Sequence, residues 1–246
     1  MFDSTPMTAP SPEEVLIDLK CPHCHAALAF SEIRVGSAQE CAFCFRIVVV
    51  PARGSEMGGK LPLPVPTTRL RLRLFTTEDQ PDWLEFVTVE ESYTYLNGNC
   101  PDEDTARAWF ERSQTMRLTD PEGYIPLAIE MQEPLKVIGF ISFYLYSPDD
   151  DPQMHRQGGF QIMVHGDYRR RGYGTEAVRA LFDLAFEGIG LHDVRVSIDR
   201  RNSCTRRMAE KAGMILEGDF AEDRFIKGTW VSTAWYRMLK TEYEHG

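Results

Sequence analysis

Alternating hydrophobic and polar positions predict β-strands along most of the chain after residue 67. Leu70, Leu72 and Leu74 alternate with arginines, which is the period of a strand that buries one face. Similar alternating or continuous apolar runs predict further strands at 125–131, 137–146, 160–164, 194–198, 214–218 and 232–239.

Apolar residues at helical spacing predict four helices between these strands. The first follows the N-cap signature at 76–79, and the second begins near Pro101. The third covers 175–187 and the fourth covers 202–212, each followed by a glycine that is typical of a helix C-terminus. The order of elements predicts an α+β fold, with helices packed on a mixed sheet.

Two Cys-x-x-Cys pairs near the N-terminus predict a metal site. They are Cys21 with Cys24 and Cys41 with Cys44, and sixteen residues separate the two pairs. This spacing is typical of structural zinc sites, because each two-residue interval lets one tight turn present both sulfurs to the same ion. The segment 18–50 resembles a zinc ribbon, in which the four thiolates would bind Zn²⁺. Because no βαβ pattern surrounds either pair, a thioredoxin-like redox function is disfavoured.

Composition divides the chain into four parts. Residues 1–17 are expected to be disordered, and residues 18–50 to form the zinc ribbon. Residues 51–66 are rich in Gly and Pro and lack periodicity, which predicts a linker. Residues 67–246 contain the alternating and helical patterns and form the large domain.

The overall charge narrows the range of functions. The formal net charge of −10 at pH 7 disfavours a general nucleic-acid-binding protein, which needs a basic surface. The N-terminus lacks the basic and apolar regions of a secretory signal, and no apolar run is long enough to span a bilayer. We therefore expect a cytoplasmic protein without a membrane partner.

A glycine-containing turn between a predicted strand and a predicted helix is the main candidate for chemistry. Gly172 and Gly174 leave the backbone accessible, so that successive N–H groups and the N-terminus of the next helix could bind an anion. From Arg169 to Lys211 there are ten basic and six acidic residues, a local balance of +4 in a negative chain. This excess suits a polyanion such as a nucleotide pyrophosphate with a further phosphate.

The turn resembles the acetyl-coenzyme A signature of the GNAT superfamily, Arg/Gln-x-x-Gly-x-Gly/Ala. Arg169, Gly172 and Gly174 occupy the defining positions. Downstream, Asn202, Thr205 and the run EKAGM are similar to the family's Asn-x-x-Ser and Glu-Lys-x-Gly-Phe elements.

The start of the large domain strengthens this resemblance. Residues 67–73, TTRLRLR, resemble the opening of the ribosomal-protein N-acetyltransferase-like branch of the superfamily. The resemblance covers 67–239 and implies the GNAT fold, with a central sheet that is splayed between the 160–164 and 194–198 strands. It also implies transfer of an acetyl group from acetyl-coenzyme A to a primary amine.

The same resemblance implies which residues bind acetyl-coenzyme A. The backbone of one strand would pair with the pantetheine arm, the amides of the turn would hold the pyrophosphate, and the start of the 202–212 helix would contact the lower part of the cofactor. In that order, these residues are Ile162, Met163 and Val164; Arg169, Arg170, Arg171, Gly172, Tyr173, Gly174 and Thr175; and Asn202 and Thr205.

The implied reaction is direct attack of a neutral amine on the thioester carbonyl, with N–H donors near Val164 stabilising the oxyanion. Two family positions depart from the common pattern. A glutamate found in many relatives corresponds to Gly159, and a tyrosine that protonates the thiolate corresponds to Ala209. The residues that could substitute as general base are Glu90, Glu91, Tyr93 and His165, and none of them is assigned that role.

Two alternatives to an active enzyme remain open. Gly159 and Ala209 would suit a non-catalytic acyl-coenzyme A sensor. Alternatively, the zinc ribbon would be the functional part and bind a protein partner, since it has few basic residues for nucleic acid. An active enzyme would take its amine from a protein N-terminus, a peptide or a small metabolite.

Overall fold

In a computed structural model of the chain, the structure describes residues 63–115, 124–145 and 157–245, and the backbone of five short strands before residue 63. These strands form two antiparallel groups, β1 with β2 and β3 with β4 and β5. Their bounds are β1 Leu16–Lys20, β2 Ala27–Ser31, β3 Ala38–Glu40, β4 Ile47–Val49 and β5 Gly59–Lys60.

The described strands place each cysteine pair along the chain. The last residue pair of β1 and β2 is Lys20 with Ala27, and that of β3 and β4 is Glu40 with Ile47. Cys21 and Cys24 therefore belong to the connection within one hairpin, and Cys41 and Cys44 to the connection within another. All four cysteines lie outside the described residues. The strands β2 and β4 follow the two cysteine pairs along the chain.

The large domain contains a sheet of eight strands. The order is β12-β13-β11-β10-β9-β8-β7-β6, and the neighbours are antiparallel except for β10 and β11. The strand bounds are β6 Val65–Pro66, β7 Leu70–Leu74, β8 Tyr124–Met131, β9 Lys136–Leu145, β10 Gln157–Val164, β11 Asp193–Asp199, β12 Ile215–Ile226 and β13 Thr229–Leu239. The predicted mixed sheet is confirmed. The segment 51–66, predicted to be a linker, contributes β5 and β6 to strand pairing.

Helices cover both faces of this sheet. On one face, α1 and α2 pack through Trp83, Phe86 and Phe110 against the strands. On the other face, α3 and α4 pack through residues such as Leu181 and Ala209. The helix bounds are α1 Gln80–Val87, α2 Glu103–Thr115, α3 Tyr173–Phe182, α4 Ser203–Ala212 and α5 Lys240–His245. None of the helices in these described parts of the chain is long and apolar enough to cross a bilayer.

The predicted helices are all present, and the observed elements differ from the predicted ones in three respects. The third helix continues beyond α3 as a π-helical segment, Asp183–Ile189, and ends where Gly190 adopts a positive φ of 81°. The hairpin of β12 and β13 is longer than predicted, because most of β12 is exposed and lacks an alternating apolar signal. The short helix α5 was not predicted, since it buries none of its residues.

A buried charge cluster fastens the start of α1 to the sheet. Arg73 on β7 donates to Asp79 at 2.6 and 2.8 Å and to Glu130 on β8 at 2.7 Å. Arg71 forms a second ion pair with Glu130. Burial alone would raise the pKa of both carboxyl groups, but the hydrogen bonds from these arginines outweigh it and hold each pKa below its usual value.

Arg73→Met should destabilise the domain by about 3 kcal/mol, because the buried carboxylates of Asp79 and Glu130 both lose their ion pair with Arg73. Since the folded pKa values of these groups are depressed, the cluster stabilises the fold above their unfolded pKa and loses that contribution as the pH falls through the folded values. The difference between the two proteins should therefore shrink from neutral pH towards about pH 4. Urea denaturation across this range measures it.

Arg107→Met is the matched control for this cluster. Arg107 pairs with Glu103 on the exposed surface of α2, where the two side chains are 43% and 65% exposed. Its loss should cost less than about 0.5 kcal/mol. Equal losses in the two variants would contradict the importance of the buried cluster.

Candidate functional site

The strands β10 and β11 separate after a short stretch of pairing. Their paired residues are Gln157 with Asp193, Gly158 with Val194 and Gly159 with Arg195. β10 continues to Val164 and β11 to Asp199 without further pairing between them. The sheet therefore contains a wedge-shaped gap, bounded by the second halves of these two strands. The predicted splay is present at the predicted strands.

The backbone groups that face this gap follow from the pairing on the far side of each strand. The N–H of His165 donates to the carbonyl of Ile138, so odd-numbered residues of β10 face β9. Ile162 and Val164 consequently present their backbone groups to the gap. Met163 faces β9, so its backbone is not available to a ligand in the gap, in contrast to the expectation for this residue.

The backbone groups of β11 that face the gap follow from the pairing of this strand with β13. The N–H of Arg200 donates to the carbonyl of Ser232, which places even-numbered residues of β11 against β13. The backbone of Ser197 therefore faces the gap. The side chains of Val194, Val196 and Ile198 belong to the core beneath α3 and α4, so the Ser197 side chain lies on the opposite face of the sheet.

The turn after β10 leads into the N-terminus of α3. Arg170 has a φ of 60° and Gly172 a φ of 86°, so two residues adopt the left-handed conformation before the helix begins at Tyr173. The N–H of Glu176 donates to the carbonyl of Gly172 at 3.0 Å. The first N–H groups of a helix have no partner within it. Those of Tyr173, Gly174 and Thr175 can therefore donate hydrogen bonds to an anion.

Helix α4 approaches the first turn of α3. A Cβ atom added at Gly174 would lie 3.0 Å from the sulfur of Met208, so glycine allows the two helices to approach. Asn202 caps α4 by accepting from the N–H of Thr205 at 3.1 Å. The Asn202 side-chain oxygen expected at the cofactor therefore has a structural partner of its own.

Several arginines of the basic segment already have partners. Arg169 donates from Nε to the carbonyl of Val164 at 2.8 Å and from Nη2 to the hydroxyl of Ser92 at 2.8 Å. Arg200 pairs with Asp219 at 2.9 Å, and Arg201 with Asp199 at 2.7 Å. The local excess of positive charge is thus partly neutralised. The carbonyl of Val164 accepts a hydrogen bond from Arg169, whereas the N–H of Val164 points into the gap.

A surface groove of about 620 Å³ borders the turn on the outer side of α3. It is lined by Pro66, Thr67, Thr68, Arg69, Gly172, Thr175, Glu176, Arg179, Ala180, Asp183 and Lys211. The groove connects the beginning of β7 with the first turn of α3.

The structure shows what surrounds Gly159 and Ala209, the two residues that depart from the common family pattern. A Cβ atom at Gly159 would lie 2.5 Å from the ring of Tyr144, its cross-strand neighbour, so a larger side chain there would require this ring to move. Ala209 lies on α4 with its side chain fully buried in the core. Neither position can supply an acid or a base.

The four residues considered as general base are not equivalent. Tyr93 is buried and donates to the carbonyl of Val87 at 2.8 Å, and burial raises its pKa well above the usual value. His165 accepts from the N–H of Asp167 at 3.1 Å. Glu91 is 83% exposed and lies 3.8 Å from Arg169. None of these contacts assigns a base.

Sequence reasoning missed two features of this site. The Ser197 hydroxyl, on the strand that bounds the gap, is buried and has no hydrogen-bond partner among the described residues. The second feature is the contact of Arg69 with Glu176, in which Nε donates at 2.8 Å across 107 positions of sequence. The opening motif that contains Arg69 was visible in the sequence, but its partner was not.

The family model described as "Acetyltransferase (GNAT) domain" matches residues 69–215 of this chain. The chain belongs to the GNAT acetyltransferase family. Membership confirms the predicted fold of the large domain and implies acyltransferase activity.

The relatives of this GNAT chain include proteins with assigned and unassigned substrates. YnaD of Bacillus subtilis (strain 168), named as an uncharacterised N-acetyltransferase, is 24% identical over 179 residues, covering 73% of this chain and 98% of YnaD. YdaF of the same organism, which has a provisional name as a ribosomal N-acetyltransferase, is 26% identical over 92 residues, covering 37% of this chain and 50% of YdaF.

A solved structure shares the fold of this GNAT domain. Spermidine N-acetyltransferase from Vibrio cholerae, in complex with CoA and spermine, superimposes with a TM-score of 0.60 at 17% identity, covering 72% of this chain and 99% of that one. At this identity the likeness concerns the fold alone. In the parts of the GNAT chain that the structure describes, no group of three or more His, Cys, Asp or Glu could hold a metal ion.

Ser197→Ala should raise the stability of the GNAT domain by about 1 kcal/mol, because it removes a buried hydroxyl that lacks a partner. Thr233→Val is the matched comparison, since the Thr233 hydroxyl donates to Asp223 at 2.6 Å and its loss should be destabilising. Thermal denaturation of the two variants tests the opposite signs. A destabilised Ser197→Ala protein would show that this hydroxyl has a partner in the folded chain.

Proposed function

We propose that the protein is an N-acetyltransferase that moves an acetyl group from acetyl-coenzyme A to a primary amine. The observation that carries this proposal is the gap between β10 and β11, which leads to the free amides at the start of α3. A strand-like ligand arm could pair with the backbone of Ile162 and Val164, and a pyrophosphate could bind the amides of 171–175. The family match supports the same cosubstrate.

The chemistry assigned to this site depends on backbone groups. Attack of the neutral amine on the thioester carbonyl forms the new C–N bond, and the C–S bond then breaks to release the thiolate. The N–H of Val164 faces the gap and would donate to the oxyanion, while Arg169 holds the neighbouring carbonyl in place. The amine loses a proton to solvent or to a base that we leave unassigned.

The Ser197 hydroxyl is the group we assign to the acceptor side of the gap. It lies on the sheet face opposite α3 and α4, away from the turn that would hold the phosphates. A serine oxygen that accepts one N–H of the amine would orient the nitrogen lone pair towards the carbonyl. The more stable Ser197→Ala protein would then be the slower catalyst, a combination expected of a residue retained for activity.

Titration of acetyl-coenzyme A into the full chain by calorimetry tests the cosubstrate site. The wild type should bind in the micromolar range. Gly172→Glu should abolish binding, because it places a carboxylate beside the amides proposed to bind the pyrophosphate, at a residue whose φ is 86° and whose Cβ would lie 3.3 Å from Arg69. Gly166→Glu is the control, since a Cβ atom there meets nothing within 4 Å. Loss of binding in both variants would point to general repulsion rather than to this turn.

A panel of amines then separates the enzyme from a non-catalytic acyl-coenzyme A sensor. Spermidine belongs in the panel because a structurally similar protein is a spermidine N-acetyltransferase, and peptides with free N-termini belong there because YdaF is a relative. Release of free thiol that depends on an added amine would establish catalysis. Tight binding of acetyl-coenzyme A without turnover of any amine would favour the sensor.

We further propose that residues 18–50 form a structural zinc ribbon. Support comes from the spacing of the four cysteines and from the strand pairs β1–β2 and β3–β4, which place one Cys-x-x-Cys in each hairpin connection. Cys21, Cys24, Cys41 and Cys44 would hold the ion as thiolates. The ribbon would serve as a scaffold or as a docking module for a protein partner.

Metal analysis of the purified chain tests the ribbon. About one zinc per chain is expected, and Cys41→Ser should lower the zinc content and the stability of the N-terminal part. Cys100→Ser and Cys204→Ser are controls, because both cysteines lie in the GNAT domain as free thiols. Unchanged zinc in Cys41→Ser, or a metal-free wild type, would rule out this assignment.

A further inference from the structure

Arg69 connects the beginning of β7 with the proposed anion-binding turn. Its Nε donates to Glu176 Oε2 at 2.8 Å, and Nη2 lies 2.6 Å from the same oxygen. Its backbone N–H donates to Glu176 Oε1 at 2.8 Å. Thr67 donates to that oxygen as well, at 2.6 Å, so two residues of the opening motif hold one carboxylate in the first turn of α3.

The same guanidinium also contacts the turn itself. Nη1 donates to the carbonyl of Arg171 at 3.1 Å, and the guanidinium lies 4.4 Å from the centre of the Tyr173 ring. A Cβ atom at Gly172 would lie 3.3 Å from Nη2. Arg69 therefore contacts the residues on either side of Gly172, and a side chain at position 172 would approach the guanidinium.

The direction of the Arg171 carbonyl has a consequence for the next amide. In a trans peptide the C=O and the N–H of one unit point in opposite directions. Because Arg69 draws the Arg171 carbonyl towards β7, the N–H of Gly172 points away from β7. This N–H is among the amides assigned to the pyrophosphate.

The positive charge of Arg69 has a second effect on anion binding at the turn. A carboxylate in the first turn of a helix competes with any anion that binds the helix N-terminus. Burial by itself raises the pKa of Glu176, but the hydrogen bonds from Thr67 and Arg69 outweigh it and lower the pKa, so the group is ionised at neutral pH. Arg69 pairs with this charge and offsets its repulsion of a bound anion.

We propose that Arg69 is a positioning residue of the coenzyme A-binding turn, which orients the Gly172 amide and neutralises Glu176. This inference rests on the proposed cosubstrate site, because it concerns the same turn. It assigns a role in binding to an arginine that lies outside the signature, about a hundred positions earlier in the chain.

Calorimetric titration of acetyl-coenzyme A into Arg69 variants tests the proposal. Arg69→Met should weaken binding about tenfold or more, and Arg69→Lys should weaken it less, because lysine keeps the charge but loses the forked geometry. Arg71→Met is the control: Arg71 is two residues away, is similarly exposed and pairs with Glu130 on the sheet. Its affinity should stay within about twofold of the wild type.

A double variant separates the electrostatic effect from simple loss of structure. In Arg69→Met/Glu176→Gln the uncompensated carboxylate is gone, so affinity should recover part of the loss seen in Arg69→Met. With an active amine, the KM for acetyl-coenzyme A should rise in Arg69→Met while kcat and the KM for the amine change little.

The possible outcomes distinguish this proposal from the function on which it rests. A wild type that fails to bind acetyl-coenzyme A would overturn the proposed function and this inference with it. A wild type that binds, with Arg69→Met and Arg71→Met equally close to it in affinity, would overturn only the role of Arg69. A fall in affinity that Glu176→Gln does not relieve would overturn the neutralisation of Glu176.

Discussion

The separation of β10 from β11 is the constraint on which the rest of the site depends. β10 is paired with β9 from Gly158 to Val164, and β11 is paired with β13 from Asp193 to Asp199. Each strand therefore pairs along its length with a different neighbour, and β10 and β11 pair with each other only at their first three residues. Because both are held firmly on their outer sides, the backbone groups that face the gap keep their hydrogen-bonding capacity without collapse of the sheet.

The chain combines a strongly negative overall charge with a site suited to a polyanion. Several arginines near the turn are matched to carboxylates, as in the pairs of Arg200 with Asp219 and Arg201 with Asp199. Much of the positive electrostatic potential at the turn therefore comes from backbone dipoles, which do not change with pH. Arg69 likewise adds little net positive charge at the turn, because its charge is offset by that of Glu176.

Sequence patterns predicted the elements whose side chains alternate between core and solvent, such as β7 and β11, and they predicted the turn at 169–175 from its glycines. They could not predict that Met163 faces β9, since the direction of a backbone group depends on the register with a neighbouring strand. The contact between Arg69 and Glu176 joins distant positions and leaves no local signal. The extent of β12 was also missed, because an exposed edge strand has no buried face to impose a period.

The two edge strands of the large sheet differ in their capacity to accept another strand. β6 has only two residues, and Pro66 lacks an N–H, so this edge offers little for main-chain pairing. β12 has twelve residues and is exposed along most of its length, with Phe220 and Phe225 about half exposed or more. Aggregation by strand addition would therefore begin at β12, and charged substitutions on that strand are the place to improve solubility without disturbing the gap.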